Sequence, residues 1–252
     1  MTKEEQLLSN RFIEYAELCY KREVPVYSDF LSLNEQTIFL STASHFPPVR
    51  FRLTGGYEPA ERKIACFLPV HQEDTRLEPP ISALKVIPSN RKFAQPLTHR
   101  DYLGAVMNLG IQRSKIGDIL ITEYECYILC LKPMVSYLEE NLLMVRHTKV
   151  ERQIENCEHL SMEQRFEQVE GSVASVRLDS ILALVYHSSR SKTASLIAAE
   201  KVFVNGKLIT ASDYHLKEGD IVSVRGLGKF IYSGINSQTK KGRYFISIKK
   251  YC

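Results

Sequence analysis

The chain has 252 residues, 44% hydrophobic and 25% charged, a balance that excludes wholesale disorder and fits two or three compact units. Its longest apolar runs, such as Tyr127 to Leu131, fall far short of the roughly 18 residues that read as a membrane span. Met1 to Gln6 carries Lys3, Glu4 and Glu5 with no apolar stretch behind them, so no secretory leader is expected and the expected location is the cytoplasm.

The net charge of +4 conceals an asymmetry. Residues 1–171 contain 20 Lys and Arg against 24 Asp and Glu, whereas residues 172–252 contain 13 against 5. A shift of this kind points to an anionic partner, nucleic acid above all, for the C-terminal third. The six cysteines, Cys19, Cys66, Cys126, Cys130, Cys157 and Cys252, have no pairing rhythm and are expected to be reduced. Cys126 and Cys130 are the one close pair, with no second Cys or His pair to complete a zinc shell. They read as buried thiols packing like small hydrophobes. No metal and no cofactor are expected.

In chain order, Leu7 to Arg22 has the apolar spacing of an amphipathic helix, ended by Pro25. Ser32 followed by Glu35 is a capping-box pattern that opens a second helix, stopped by Pro47-Pro48. Val49 to Leu53 and Lys63 to Val70 read as strands around the Gly55-Gly56 turn. Ile81 to Ile87 is strand-like, Thr98 to Leu109 helical, Asp118 to Leu131 a long strand or hairpin, and Met134 to Val145 helical. This alternation predicts an α+β sandwich. Residues 151–170 carry six Glu against Arg152 and Arg165; they read as a final strand and a short exposed helix before a linker at Glu170 to Ser175.

The C-terminal third is the most legible. Val176 to Tyr186 and Ser191 to Lys201 read as helices separated by Ser188-Ser189. Val202 to Val204 and Lys207 to Thr210 flank Asn205-Gly206, the preferred two-residue hairpin turn. Ile221 to Arg225, Lys229 to Ile235 and Arg243 to Lys250 follow as strands. Arg190 and Lys192 flank the start of the second helix, where free N–H groups and the helix dipole favour a phosphate. Lys201, Asn205 and Lys207 would extend that basic face, and Arg177 begins the first helix beside it. Asp179 reads as a structural carboxylate that orients an arginine.

The run Arg177-Leu178-Asp179, Ser189-Arg190-Ser191, Val202-Phe203-Val204-Asn205-Gly206-Lys207 and Gly219-Asp220-Ile221-Val222 resembles the RNA-binding domain named after ribosomal protein S-four. The resemblance implies RNA contact by Arg177, Ser189, Arg190, Ser191, Lys192, Lys201, Asn205 and Lys207, with Asp179 and Gly206 as structural residues. Glu200 stands where that family usually has Gly, at the close of a helix where left-handed geometry is favoured. Further upstream, LTGGYEPAERKIACFLP from Leu53 and THRDYLGAVMNLGIQRSKIGDIL from Thr98 resemble the bacterial YlmH family of the division-gene neighbourhood. That resemblance implies an α+β chain with a small α/β unit over 1–75, a central RNA-recognition-motif-like (ferredoxin-like) sandwich over 76–165, and the S-four-type domain over 172–252. It also implies a role on the large ribosomal subunit in the rescue of stalled nascent chains, with rRNA or tRNA as the RNA. The central unit lacks the aromatic strand signature on which such sandwiches stack bases.

His99-Arg100-Asp101 resembles the kinase catalytic triplet, but Val106 stands where Asn is required and no phosphate loop precedes it. It reads as a helix start, with Thr98 as cap. Arg113 and Lys115 read as exposed and as a second RNA or ribosome contact. An RNA-modifying enzyme of the pseudouridine-synthase type is the rival reading, and a division-linked protein adaptor is a third. The one Arg-Leu-Asp run leads into a helix instead of a Thr-Ser-Gly turn, so the expectation is a monomeric, non-catalytic RNA-binding protein.

Overall fold

The computed structural model describes residues 2–71, 78–90, 95–123, 125–157, 160, 165–240 and 242–251. The chain divides into two compact units, Met1–Met162 and Glu163–Cys252. The first contains both of the sheets that the sequence distributes between residues 1–75 and 76–165.

Helix α1 (Lys3–Arg22) starts four residues before its apolar pattern does, because Thr2 and Glu5 form a capping box. The anticipated box at Ser32 and Glu35 opens α2 (Leu33–Thr42). Between them lies a strand that the sequence pattern does not predict, β1 (Val26–Leu31). It is six residues long and interrupted by Ser28-Asp29, so it carries little periodic signal. With β2 (Arg50–Thr54) and β3 (Lys63–Leu68) it forms an antiparallel sheet in the order β1-β3-β2. Alternate residues of β3 serve two cores: Ala65 and Phe67 meet Phe12, Ala16 and Phe39 beneath the helices, while Ile64, Cys66 and Leu68 face the other way.

The second sheet runs β4 (Ile81–Pro88), α3 (His99–Asn108), β5 (Ile116–Ile121), β6 (Cys126–Leu131), α4 (Lys132–Asn141), β7 (Met144–Val145), β8 (Thr148–Glu155). Its order, β5-β6-β4-β8-β7, is wholly antiparallel and is the split βαβ arrangement of the ferredoxin-like sandwich. Asp118 to Leu131 resolves into a hairpin. The helix expected over Met134 to Val145 stops at Asn141, since Met144–Val145 turns back on β8 through Arg146, whose φ is 54°. Leu84, Val86, Ile128 and both Cys126 and Cys130 pack beneath α3 and α4. The two thiols are fully buried, as read.

The opposite face of this sheet is closed. Ile81, Ala83, Leu120 and Leu129 form one core with Phe30, Ile64, Cys66 and Leu68 of the first sheet. Gly117 allows the approach: a Cβ there would lie 2.7 Å from the Phe30 ring. Asp118 fastens the join, accepting from Tyr57 Oη at 2.8 Å, Glu61 N at 2.7 Å and Arg62 N at 3.0 Å. No helix among the described residues is long and apolar enough to cross a membrane.

The C-terminal unit consists of β9 (Phe166–Val173), α5 (Leu178–Val185), α6 (Arg190–Ala198), β10 (Val202–Val204), β11 (Lys207–Leu208), β12 (Ile221–Val224), β13 (Gly228–Gln238) and β14 (Tyr244–Tyr251). The sheet order is β11-β10-β12-β13-β14-β9, again wholly antiparallel. The linker expected at Glu170 to Ser175 is corrected here, because most of it belongs to β9, paired with β14 over its whole length. The Glu-rich run conceals an edge strand: Val169 and Val173 turn inward while Gln168 and Glu170 stay in water. The short helix expected after the β8 segment falls largely outside the described residues. Leu178, Ile181, Leu182 and Ile197 fill the core between the helices and the sheet.

Candidate nucleic-acid interface

Helix α6 begins at Arg190 with Ser189 as its cap, whose hydroxyl accepts from Lys192 N at 3.3 Å. Ser189 and Ser191 pair their hydroxyls at 3.0 Å, and Ser189, Arg190, Ser191 and Lys192 are all exposed. The start of α5 differs: the N–H groups of Leu178 and Asp179 are taken by the carbonyls of Tyr214 and Ser212. Of these two helix starts, α6 is the one that offers its cationic first turn to a solvent anion.

Asp179 holds the arginines of this site. Asp179 is 7% exposed as a residue, with Oδ1 3.3 Å from Arg177 Nε and Oδ2 3.2 Å from Arg190 Nη2. It also accepts from Ser180 N at 2.8 Å. Arg190 Nη2 donates to Ser180 Oγ at 2.7 Å, yet the Arg190 side chain remains 57% exposed. One edge of the guanidinium is thus anchored while the rest faces water, a suitable arrangement for a planar fork that grips phosphate. Behind it, fully buried Thr193 donates to the carbonyls of Asp179 at 3.1 Å and Arg190 at 3.0 Å. The sequence signal for Thr193 is only a polar residue on the inward side of a short helix, and Ser180 carries no signal of its own.

The hairpin residues divide by role. Asn205 and Gly206 have φ of 49° and 76°, as a type I′ turn requires. The Asn205 amide donates to Asp220 Oδ1 at 2.7 Å and accepts from Ile221 N at 2.9 Å, so it ties the turn to β12. Lys207 is exposed beside it. Lys201 is exposed too, but α6 separates it from Arg190 by about 13 Å, nine residues at 1.5 Å each. Glu200, just before it, adopts φ 56°, the left-handed geometry for which Gly is suited.

The region of Arg113 and Lys115 departs from its expected exposure. Arg113 Nη1 donates to Ile116 O at 2.5 Å and to Gly117 O at 3.1 Å. Burial, assisted by neighbouring Arg62, pushes its pKa down to about 10. Lys115 Nζ sits 2.7 Å from Asp29 Oδ1, and Ser114 donates to the other oxygen of that carboxylate at 2.9 Å. These cations join a short turn to β1 and β5. At the start of α3, Asp101 accepts from Thr98 N and Oγ1, both at 2.8 Å, and these bonds lower its pKa. The triplet there is a helix start, as read.

Two family models match. Residues 81–159 match the "Putative RNA-binding domain in YlmH" and residues 176–222 match the "S4 domain". Over 256 aligned positions the chain is 27% identical to the "Ribosome-associated protein quality control protein P2" of Bacillus subtilis (strain 168), covering 98% of this chain and 96% of that one. Among solved structures it resembles "Cell division protein ylmH from Streptococcus pneumoniae", with a TM-score of 0.50, 19% identity, and coverage of 64% of this chain and 97% of that chain. The chain thus carries a match to the YlmH-type RNA-binding domain followed by a match to a C-terminal S4 domain.

Proposed function

We propose that this protein binds structured RNA through its C-terminal unit, without covalent chemistry, as part of ribosome-associated quality control of stalled nascent chains. The RNA would be rRNA or tRNA on the large subunit. The observation that carries the reading is the first turn of α6: an exposed, Ser-capped helix start with Arg190 held at one edge by Asp179 and Lys192 beside it. The ribosomal setting is supported by the name of the Bacillus subtilis relative, which aligns over nearly the whole of both chains.

Against a pseudouridine-synthase reaction stands the state of Asp179. A catalytic carboxylate must meet a base flipped into its pocket, whereas Asp179 is buried and occupied by Arg177, Arg190 and Ser180. Asn205 supports the turn from within, which leaves Arg190, Lys192 and Lys207 as the principal phosphate contacts. Binding alone suffices for function if it favours one conformation of a ribosomal complex, since a ligand shifts an equilibrium by its differential affinity.

The test is the salt dependence of binding to isolated large subunits and to total tRNA. For roughly four to six neutralised phosphates, the slope of log affinity against log salt is expected near −3 to −5. Arg190→Ala should flatten that slope by about one contact. A salt-independent affinity, or binding untouched by Arg190→Ala and Lys192→Ala together, would refute the assignment. New modified nucleosides in RNA incubated with the protein would replace it with an enzymatic one.

A further inference from the structure

In the C-terminal unit, α5 and α6 pack on one face of the six-stranded sheet, with Val202, Val204, Val222, Val224, Phe230, Ile246 and Ile248 in the core beneath them. Strand alternation sends their neighbours to the opposite face. The pairing register aligns those neighbours in one row across all six strands. Leu208 faces Phe203, Phe203 faces Ser223, Ser223 faces Lys229, and Tyr251 faces Phe166. Lys229 and Tyr251 close the row, with the ammonium 4.5 Å from the ring centroid. Phe166 packs edge-on against Tyr251 at 4.8 Å, and the Arg225 guanidinium lies 4.8 Å over Phe203. Phe166 and Leu208 are 37% and 38% exposed, and Arg225 and Lys249 are exposed.

This is an aromatic row interleaved with cations on the face away from the α6 site. We propose that it receives unpaired nucleotides of RNA, with bases stacking on the Phe203–Arg225 and Tyr251–Lys229 pairs and phosphates meeting Arg225, Lys229 and Lys249. Charge complementarity selects this occupant. Among the described residues on neighbouring outward positions the cations outnumber the acidic Glu170, and aromatic rings beside cations form the combination that holds single strands regardless of sequence. Phe203 and Tyr251 lie three strand spacings apart, roughly 14 Å at about 4.8 Å each. That span suits a footprint of a few nucleotides, comparable to the two or three bases stacked by an RNA-recognition-motif sheet. The inference rests on the RNA-binding reading above and adds a second face to it: structured RNA on the helix side, a protruding single strand on the sheet side.

The test uses the full chain and three labelled probes: a blunt RNA hairpin, the same hairpin with a six-nucleotide unpaired tail, and hexauridylate. The tail is expected to raise hairpin affinity, and hexauridylate is expected to bind weakly. Phe203→Ala with Tyr251→Ala should abolish the gain from the tail, a loss of roughly ten- to hundred-fold, while leaving the blunt hairpin unchanged. Arg190→Ala should weaken the blunt hairpin and preserve the gain from the tail. Tyr251→Phe should behave as wild type, and a melting curve of each variant separates lost contact from lost fold. As a readout independent of substitution, 4-thiouridine in the tail should crosslink to peptides containing Phe203 or Tyr251. A tail that adds nothing, a gain that survives the double variant, or crosslinks confined to α6 would overturn the inference and leave the RNA reading intact. A protein that binds neither hairpin nor hexauridylate would overturn both.

Discussion

Both units build an antiparallel sheet with helices on one face, and they differ in the other. In the first unit, the sandwich face on which RNA-recognition motifs stack bases is sealed by the chain's own β1-β3-β2 sheet through Phe30, Ile64, Cys66 and Leu68. In the second, the corresponding face carries Phe203, Lys229 and Tyr251 in a half-exposed row. The arginines divide in the same way. Arg113 satisfies two backbone carbonyls and lies half-buried, while Arg190 is anchored at one edge and otherwise open. Equal formal charge therefore does different work according to what surrounds it: a cation enclosed by carbonyls supports the fold, and one at an exposed helix start is available to an anion.

The largest expected effect tests the sealed face. Phe30→Ala should cost about 3–5 kcal/mol, as deletion of a fully buried aromatic does, and calorimetry of the full chain should register it. A loss below ~1 kcal/mol would mean the two sheets are not one core. Within the basic unit, Leu182→Ala should cost about 2–5 kcal/mol, enough to weaken RNA binding only by unfolding, which a melting curve would reveal.

The arginine pair sharpens the comparison. Arg113→Ala leaves two carbonyls without their donor and should cost about 1–3 kcal/mol, with RNA affinity unchanged at temperatures where the variant is folded. Arg190→Ala should cost only ~0–1 kcal/mol, the usual range for an exposed ion pair, while clearly weakening RNA. Reversed results would exchange the roles of the two sites. Glu200→Gly should stabilise by roughly 1 kcal/mol, since a left-handed non-glycine residue is strained by about that much.

The smallest effects belong to pH. Burial raises the pKa of Cys66 and Cys157 to about 11, and of Cys130 and Tyr102 to about 12. Each is neutral when protonated and ionises more easily in the unfolded chain. The contribution of the thiols is therefore complete below the ordinary thiol value of 9.0 and is lost as pH rises through about 11 for Cys66 and Cys157 and about 12 for Cys130. Thermal melting of the first unit should decline over that alkaline range, and iodoacetamide should label these thiols only on unfolding. Rapid labelling at neutral pH would contradict their burial.

Local chemistry determined much of this molecule from its sequence alone. The capping box at Ser32, the helix start at Thr98, the Asn205-Gly206 turn and the inward stripe Leu178, Ile181, Leu182 depend on neighbours a few residues apart, so periodicity and cap residues reveal them. The basic balance of the C-terminal third was equally plain. What tertiary structure alone decided was the partner of each face and each charge. Strand β1 was hidden because six half-polar residues have no strong period, and β9 because its glutamates line the wet side of an edge. Arg113 and Lys115 could not be told from RNA-contacting cations, since their acceptors Ile116, Gly117 and Asp29 become neighbours only when β1 and β5 meet. The row from Leu208 to Phe166 draws on residues 166–251 in sequence and exists only through strand register. Contacts closed over long loops leave no periodic trace in the chain, and that is why the fold had to bring them to light.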